Sequence, residues 1–274
     1  MVGCQSAPAA NVDYGYPRRL AQPNGGRRPL AQSPGNGFIS LIPKGEGMQP
    51  TSMRPLSALS TIYRLWAGLR LQDVMKWQEH WIHPFAYGFR AAKGTWDAYT
   101  LLTTMVELAS LRGNQMHVVA LDYIKCFDRV PQGIVLEVAA QLGLDVKVHR
   151  ALCGMYRTLR RAFKINGCLG SFFQATNGIL QGCPLSVALI NMLTTIWKRA
   201  VGSLGGGVTI KPQQAAGLPI LEHPETQQEA YLVDALGYAD DTYIVGETST
   251  QIRSALKVTE QFLYKTGQSV NPKI

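Results

Sequence analysis

The sequence predicts a mixed α/β (α+β) fold, and three observations carry that expectation. Met116–Asp122 is a continuous apolar run of strand length ending in an acid, the pattern of a strand buried on both faces. Ala230–Tyr238 and Thr242–Val245 flank Asp240-Asp241 as the arms of a hairpin. Around these strands lie segments with helical spacing, so strands and helices alternate through the second half of the chain. With 274 residues and 46% hydrophobic content, the chain is long enough to bury a substantial core. It contains no internal repeat.

In chain order, residues 1–36 are rich in Pro, Gly, Gln and Arg, carry Asp13 as their single acid and show no hydrophobic period; they read as a disordered leader. Phe38–Pro43 reads as a short strand. Ile62, Leu65, Trp66 and Leu69 recur at helical spacing and mark a first helix, with Tyr63, Trp66 and Trp77 suited to a core face. A second helix covers Thr95–Leu111 and stops at Gly113. After the apolar strand, Pro131 opens a helix that Gly143 closes, and Asp145 suits the cap of the next. Asn166-Gly167 between Ala162–Ile165 and Ser171–Ala175 predicts a hairpin. A buried helix is expected at Pro184–Arg199, then a Gly- and Pro-rich connection, Gly202–Glu229. Thr248 or Ser249 caps a last helix with Ile252, Ala255, Leu256, Thr259, Phe262 and Leu263 on its apolar face, ended by Gly267. Val270 reads as the start of a further strand.

Composition narrows the function. No apolar run approaches the roughly 18 residues of a membrane span, and residues 1–11 lack a charged start followed by a hydrophobic block, so neither a membrane partner nor a signal peptide is expected. The net charge of +9 suits a polyanionic partner. Five scattered cysteines without a C-x-x-C pair indicate reduced thiols inside a cell rather than a disulfide framework or zinc finger.

Asp240-Asp241 carries the strongest chemical signal. Acids are common at turns, but two adjacent carboxylates between apolar strands repel each other, and desolvation raises that cost. Asp122 ends the run Val118-Val119-Ala120-Leu121. If the two strands are neighbours in one sheet, Asp122 and Asp240 converge, and divalent cations relieve the repulsion. Mg²⁺ accepts one or two protein carboxylates with phosphates and water completing its shell. Two such ions about 4 Å apart support in-line phosphoryl transfer. Asn177 to Ser186 leads into the buried helix; Gly182 permits close backbone approach, and Pro184 suits a first helical turn.

Leu121-Asp122 with Phe127-Asp128, Gln181-Gly182 with Pro184-Leu185-Ser186 and Asn191, and Tyr238-Ala239-Asp240-Asp241 occur in an order that resembles the palm of reverse transcriptases. Leu41-Ile42-Pro43-Lys44 and Arg54-Pro55-Leu56-Ser57 are similar to fingers motifs of that family. Tyr87-Gly88-Phe89-Arg90 with Thr95-Trp96-Asp97-Ala98 resembles a block of non-long-terminal-repeat retrotransposon enzymes, with group II intron enzymes next. The resemblance implies a right-hand polymerase: fingers at 37–115, the first palm strand at 116–132, fingers/palm helices and a hairpin at 133–172, and palm at 173–274. The thumb is then missing and the palm truncated at the C terminus.

The same resemblance implies site roles. Asp122, Asp240 and Asp241 are catalytic and hold two Mg²⁺ ions, with Mn²⁺ as a substitute. Phe127 is the gate against a ribose 2′-hydroxyl. Gln181 and Gly182 line the nucleotide, Lys44 and Arg54 hold its triphosphate, and Asp128 fixes local structure. The implied partners are an RNA template, a DNA primer and a deoxynucleoside triphosphate. The resemblance also suggests Lys273 for the block after the hairpin. Arg157, Arg160, Arg161 and Lys164 are candidates for nucleic-acid backbone contact, against a solvated face. Val187 stands where many relatives have proline, and Gly202–Glu229 is long enough to be an insertion. His80 and His83 lack a helical Glu between them, which disfavours zinc; Gly205-Gly206-Gly207 lacks the Lys-Ser/Thr of a phosphate loop. Two alternatives remain: an inactive fragment of a retroelement that at most binds RNA, and a two-metal phosphodiesterase.

Overall fold

The computed structural model describes residues 36–43, 49, 53–210 and 230–271. In order, the elements are β1 (Asn36–Pro43), β2 (Met53–Ala58), α1 (Thr61–Glu79), α2 (Thr95–Leu111), β3 (His117–Leu121), α3 (Cys126–Arg129), α4 (Gln132–Gln141) and α5 (Val146–Thr158). There follow β4 (Arg160–Ile165), β5 (Cys168–Leu169), α6 (Ser186–Gly202), β6 (Val208–Ile210), β7 (Tyr231–Val233), β8 (Ala235–Tyr238), β9 (Asp241–Gly246) and α7 (Ser249–Thr266). The mixed class is as expected from the sequence. The leader, apart from Asn36, lies outside the described residues.

Local chemistry starts and stops the helices. The Ser60 hydroxyl accepts from the Tyr63 N–H ahead of α1. The Asp145 carboxylate accepts from Lys147 and Val148 N–H and caps α5, as its sequence position predicts. Thr248 and Gln251 form a reciprocal capping box on α7. That helix ends at Gly267, whose φ of 64° lies in the left-handed region where glycine carries no β-carbon penalty.

Among the described residues the strands form three sheets, ordered β2-β1-β4-β5, β3-β9-β8 and β6-β7. The second is antiparallel throughout; the first includes one parallel pair, β1 with β4. Helix α6 is buried almost all round, with Leu189, Ile190, Met192 and Trp197 at its centre. It packs on α1, α4, α7 and β8, and the Trp197 indole donates to the Thr259 hydroxyl of α7 at 3.0 Å. Lys198 is enclosed with it; burial pushes its ammonium down to about 7, opposed by the charge of Asp234. A smaller cluster of Tyr87, Met105, Val208, Val233, Leu236 and Val245 joins α2 to the other face of the second sheet.

On α1, Tyr63, Trp66 and Trp77 pack against the core as expected, beside buried Ala67, Val74 and Gln78, while Ile62, Leu65 and Leu69, which mark the helix by their spacing, are exposed. Several other expectations are corrected. Strand β3 is buried on one face only: Val118 and Ala120 are exposed while Leu121 is buried. It is an outer strand of an antiparallel sheet, and helix α2 covers the sheet farther over. The Asn166-Gly167 hairpin pairs Ile165 with Cys168, and Phe173 returns only as an isolated bridge to Arg161. The arm Ala230–Tyr238 breaks at Asp234 into β7 and β8, and β7 pairs with β6, inside the segment read as connection. Residues 211–229 of that connection lie outside the described residues.

One loop buttresses the β8–β9 hairpin. The Gly237 N–H donates to the Phe85 carbonyl, and the Gly237 carbonyl accepts from Tyr87 N–H. Gly88 then lies against Ala239, where a β-carbon would stand 2.4 Å from the Ala239 nitrogen. Behind it, the Asn191 amide donates to the Gly88 carbonyl at 2.8 Å and to Gln78 Oε1 at 3.0 Å. Arg90 ties the loop to α1 through Glu79 at 2.6 Å, and donates to the Ala86 carbonyl.

Two outcomes follow from these contacts. Gly88→Ala forces its methyl into hairpin backbone and should lower unfolding free energy by about 1–3 kcal/mol, read as a lower urea midpoint; an unchanged midpoint rejects the close packing. Burial, with Lys198 and Arg199 adding, pushes the His83 imidazole down to about 4 from 6.5. The unfolded chain therefore takes up this proton below about 6.5 while the folded chain resists until about 4, so stability falls as pH is lowered through that window. Urea midpoints measured across it should fall less steeply in His83→Gln.

Candidate active site

The β8–β9 hairpin is tight. Tyr238 pairs with Asp241, leaving Ala239 and Asp240 as a two-residue connection. Ala239 holds φ at 54°, a left-handed conformation that costs an alanine energy and is kept here by the Gly88 loop. Strand β9 pairs antiparallel with β3, Leu121 opposite Thr242. Asp122 is one residue beyond that pair, and Asp241 is the residue that the same register sets beside it. Neighbouring strands lie about 4.8 Å apart, so the three acids share one end of the sheet. Side chains alternate between faces along a strand. Asp122 therefore shares the face of exposed Val118 and Ala120, and Asp241 that of Tyr238 and Tyr243, the sheet face opposite buried Leu121 and Thr242.

The chain holds Asp122 from its other side too. Asn271 N–H donates to the Asp122 carbonyl at 2.8 Å, and its amide reaches the Asp122 carboxylate at 3.4 Å. Tyr123 bridges Val270, and Ile124 N–H donates to the Ser269 carbonyl. Val270 thus pairs as a strand would, though only as a single bridge. Asp122 and Asp241 are exposed and Asp240 is half-buried. Burial pushes the Cys126 thiol up, and the Asp240 and Asp128 charges push it further, so Asp240 lies near the start of α3 as well.

Among the described residues, no three His, Cys, Asp or Glu side chains already converge as a metal-ligand group. The donor chemistry nevertheless fits a hard divalent cation: carboxylate oxygens, accessible, at one sheet end, with phosphate and water to complete the shell. His80 and His83 are engaged separately, His80 Nδ1 with the Lys76 carbonyl and His83 Nδ1 with Phe85 N–H.

Beside the acids, Phe127 and Asp128 lie on the short helix α3. The Phe127 carbonyl accepts from Ile179 N–H and the Val130 carbonyl from Gly178 N–H. Gly178, at φ 86°, leaves a β-carbon only 2.9 Å from the Asp128 carbonyl, which explains the glycine. Three residues on, the Gln181 carbonyl accepts from Ser57 N–H at 2.8 Å, and Gly182 packs against the Ser57 carbonyl. The Gln181 segment is therefore held between α3 and β2. The Gln181 amide turns toward α3 and donates to Asp128 Oδ1 at 3.4 Å.

The candidate cations are dispersed. Arg54 is exposed on β2 opposite Ile42, near the outer end of the β1–β2 pair. Lys44 and Lys273 lie outside the described residues. Arg157, Arg160 and Lys164 are exposed, whereas Arg161 is half-buried with its guanidinium 5.8 Å from the Phe173 ring centre. The sequence did not single out Gln78, Glu79 or Asn271 for any role. A glutamine inside an otherwise apolar helical stripe was the available signal for Gln78; the other two have none.

A family model described as reverse transcriptase (RNA-dependent DNA polymerase) matches residues 42–273. The chain is 24% identical over 235 residues to the retrovirus-related Pol polyprotein from type-1 retrotransposable element R2 of Nasonia vitripennis, covering 85% of this chain and 21% of that protein. It is 25% identical over 237 residues to the transposon TX1 uncharacterized 149 kDa protein of Xenopus laevis, covering 85% of this chain and 17% of that one. Its fold is similar to apo telomerase from Candida tropicalis truncated from the C-terminal domain, with a TM-score of 0.57, 16% identity, and coverage of 88% of this chain and 49% of the other. The same species' telomerase with a fragment of telomeric RNA gives a TM-score of 0.53, 16% identity, and coverage of 88% and 40%. No described helix is long and apolar enough to cross a membrane. With a matched segment spanning most of its length and a polymerase fingers-and-palm fold, the chain belongs to the reverse transcriptase family, whose members bind nucleic acid and generally use divalent metal ions.

Proposed function

We propose that this chain carries the nucleotidyl-transfer centre of a retroelement RNA-directed DNA polymerase. What supports the reading is the β3–β9 register, which brings Asp122 beside Asp241 on an accessible sheet end, with Asp240 next to it in the turn. In this reading Asp122 and Asp240 hold two Mg²⁺ ions, with Asp241 as the third carboxylate and Mn²⁺ as a substitute. Such ions would lower the barrier to attack by a primer 3′-hydroxyl on the α-phosphate of a deoxynucleoside triphosphate, in which the new P–O bond forms as the bond to the β-phosphate breaks and pyrophosphate leaves.

The protein's own part is positioning and charge. In this reading the Phe127 ring excludes a ribose 2′-hydroxyl, and Gln181 with Gly182 borders the sugar and base pair. Lys44 and Arg54 grip the triphosphate through charge-assisted contacts in the bound nucleotide. An RNA template and DNA primer lie across the exposed face carrying Val118 and Ala120, held in part by Arg157, Arg160, Arg161 and Lys164. The net charge of +9 makes that binding weaken as salt rises.

Asp240→Asn should cut primer extension on an RNA template below about one-thousandth of wild type, a loss of several kcal/mol in transition-state stabilisation. Circular dichroism and RNA affinity should stay as they were; extension at the normal rate rejects the assignment. Lys44→Ala should raise the KM for nucleotide by about tenfold with little change in kcat, the loss of roughly one charge-assisted contact. A phosphodiesterase using the same acids needs no triphosphate grip, and an unchanged KM would favour it.

A further inference from the structure

Asp128 has no part in the transfer step described above, yet it is the side chain to which Gln181 turns. Resting on the polymerase reading, we propose that Asp128 is a positioning residue, one that sets the direction and flip of the Gln181 carboxamide and so the group offered to the nucleotide. A carboxylate only accepts hydrogen bonds, and a carboxamide has one donating and one accepting end. With Gln181 Nε2 directed at Asp128 Oδ1, 3.4 Å away, the amide must present its other end, Oε1, to whatever fills the space in front of it. The bond is long for this pair, so it selects one orientation without locking the side chain.

Three features place the carboxylate for that task. Gly178 lies under the Asp128 carbonyl where any β-carbon would collide, so the loop leading to Gln181 is seated on Asp128 itself. The Gln181 backbone is fixed from the opposite side by Ser57, which leaves the side chain as the adjustable part. Arg161, pinned against Phe173, supplies a cation near Asp128. Burial pushes the Asp128 carboxyl up, while Lys125, Arg161 and the Gln181 amide pull it back. Asp128 thereby joins strand β4, helix α3 and the Gln181 loop through one charge.

The test compares Asp128→Ala, Asp128→Asn and Gln181→Ala in this chain. Asp128→Ala should raise the KM for deoxynucleotide by about tenfold, equivalent to 1.4 kcal/mol, and change kcat less. Asp128→Asn keeps an accepting oxygen and should restore KM to within about threefold of wild type, given the smaller demand of a neutral hydrogen bond. The double variant Asp128→Ala/Gln181→Ala should be no worse than Gln181→Ala alone, because two residues acting through one contact are not additive. Independently of activity, the ¹⁵N resonances of the Gln181 side-chain amide should move in Asp128→Ala and largely return in Asp128→Asn. Unmoved resonances, an unchanged KM or strictly additive losses overturn the role. A wild-type chain that neither binds nor incorporates nucleotide overturns the polymerase reading and the nucleotide role together, while the resonances still report whether the contact exists.

Discussion

Carboxylates brought to one end of a sheet repel one another, and the chain can keep them there only if the backbone beneath them is held more firmly than the charges push. Asp240 and Asp241 are adjacent in sequence, so their separation is set by covalent geometry. Asp122 is added by strand pairing, and the pairing is antiparallel over five residues, from His117 with Gly246 to Leu121 with Thr242. A one-residue slip would send every side chain of β3 to the opposite face. Buried Leu121 would become exposed and Asp122 would turn inward. The hydrophobic alternation that sets this register therefore also sets the separation of the acids.

Around that register the fold adds restraint on both sides. The segment Ser269–Asn271 closes on residues 122–124 from one edge. The loop Phe85–Arg90 closes on the hairpin from the other, with Gly88 backed by Asn191 and Gln78. A buried amide network of this kind is stable only when each member is satisfied, because an orphaned amide in the interior costs about 1–3 kcal/mol. Asn191 donates twice, once into the loop and once to Gln78, so helix α6 reports directly to the turn that carries Asp240. Ala239 at positive φ is the visible sign that tertiary contacts, rather than turn propensity, decide the hairpin's shape.

The Gln181 segment obeys a similar logic with different parts. Glycines at 178 and 182 allow two backbones to approach it, Asp128 from α3 and Ser57 from β2. Both positions have φ values that side chains rarely adopt, 86° and 106°. What the two strands of contact leave free is one carboxamide, directed by one carboxylate.

Much of this was legible in the amino-acid order. Period and caps located α5 and α7, including Asp145, Thr248 and Gly267, because those signals are local and act within a turn or two. The acids at 122, 240 and 241 stood out because adjacent carboxylates beside apolar runs are chemically conspicuous. The failures were of a different kind. Ile62, Leu65 and Leu69 mark α1 by their spacing, yet they stay exposed while Tyr63, Trp66 and Trp77 pack on the core beside buried Ala67, Val74 and Gln78, since which face is covered depends on where α6 arrives. The break at Asp234, the β6–β7 pair, the seat of Gly88 on Ala239 and the strap from Asn271 all join residues distant in the chain. Sequence thus determined the elements, the polymerase-like order of motifs and the identity of the charged groups, through short-range sterics and periodicity. The tertiary structure alone decided their register, their exposed face and the partner of Gln181, because those depend on which surfaces meet once the chain has closed on itself.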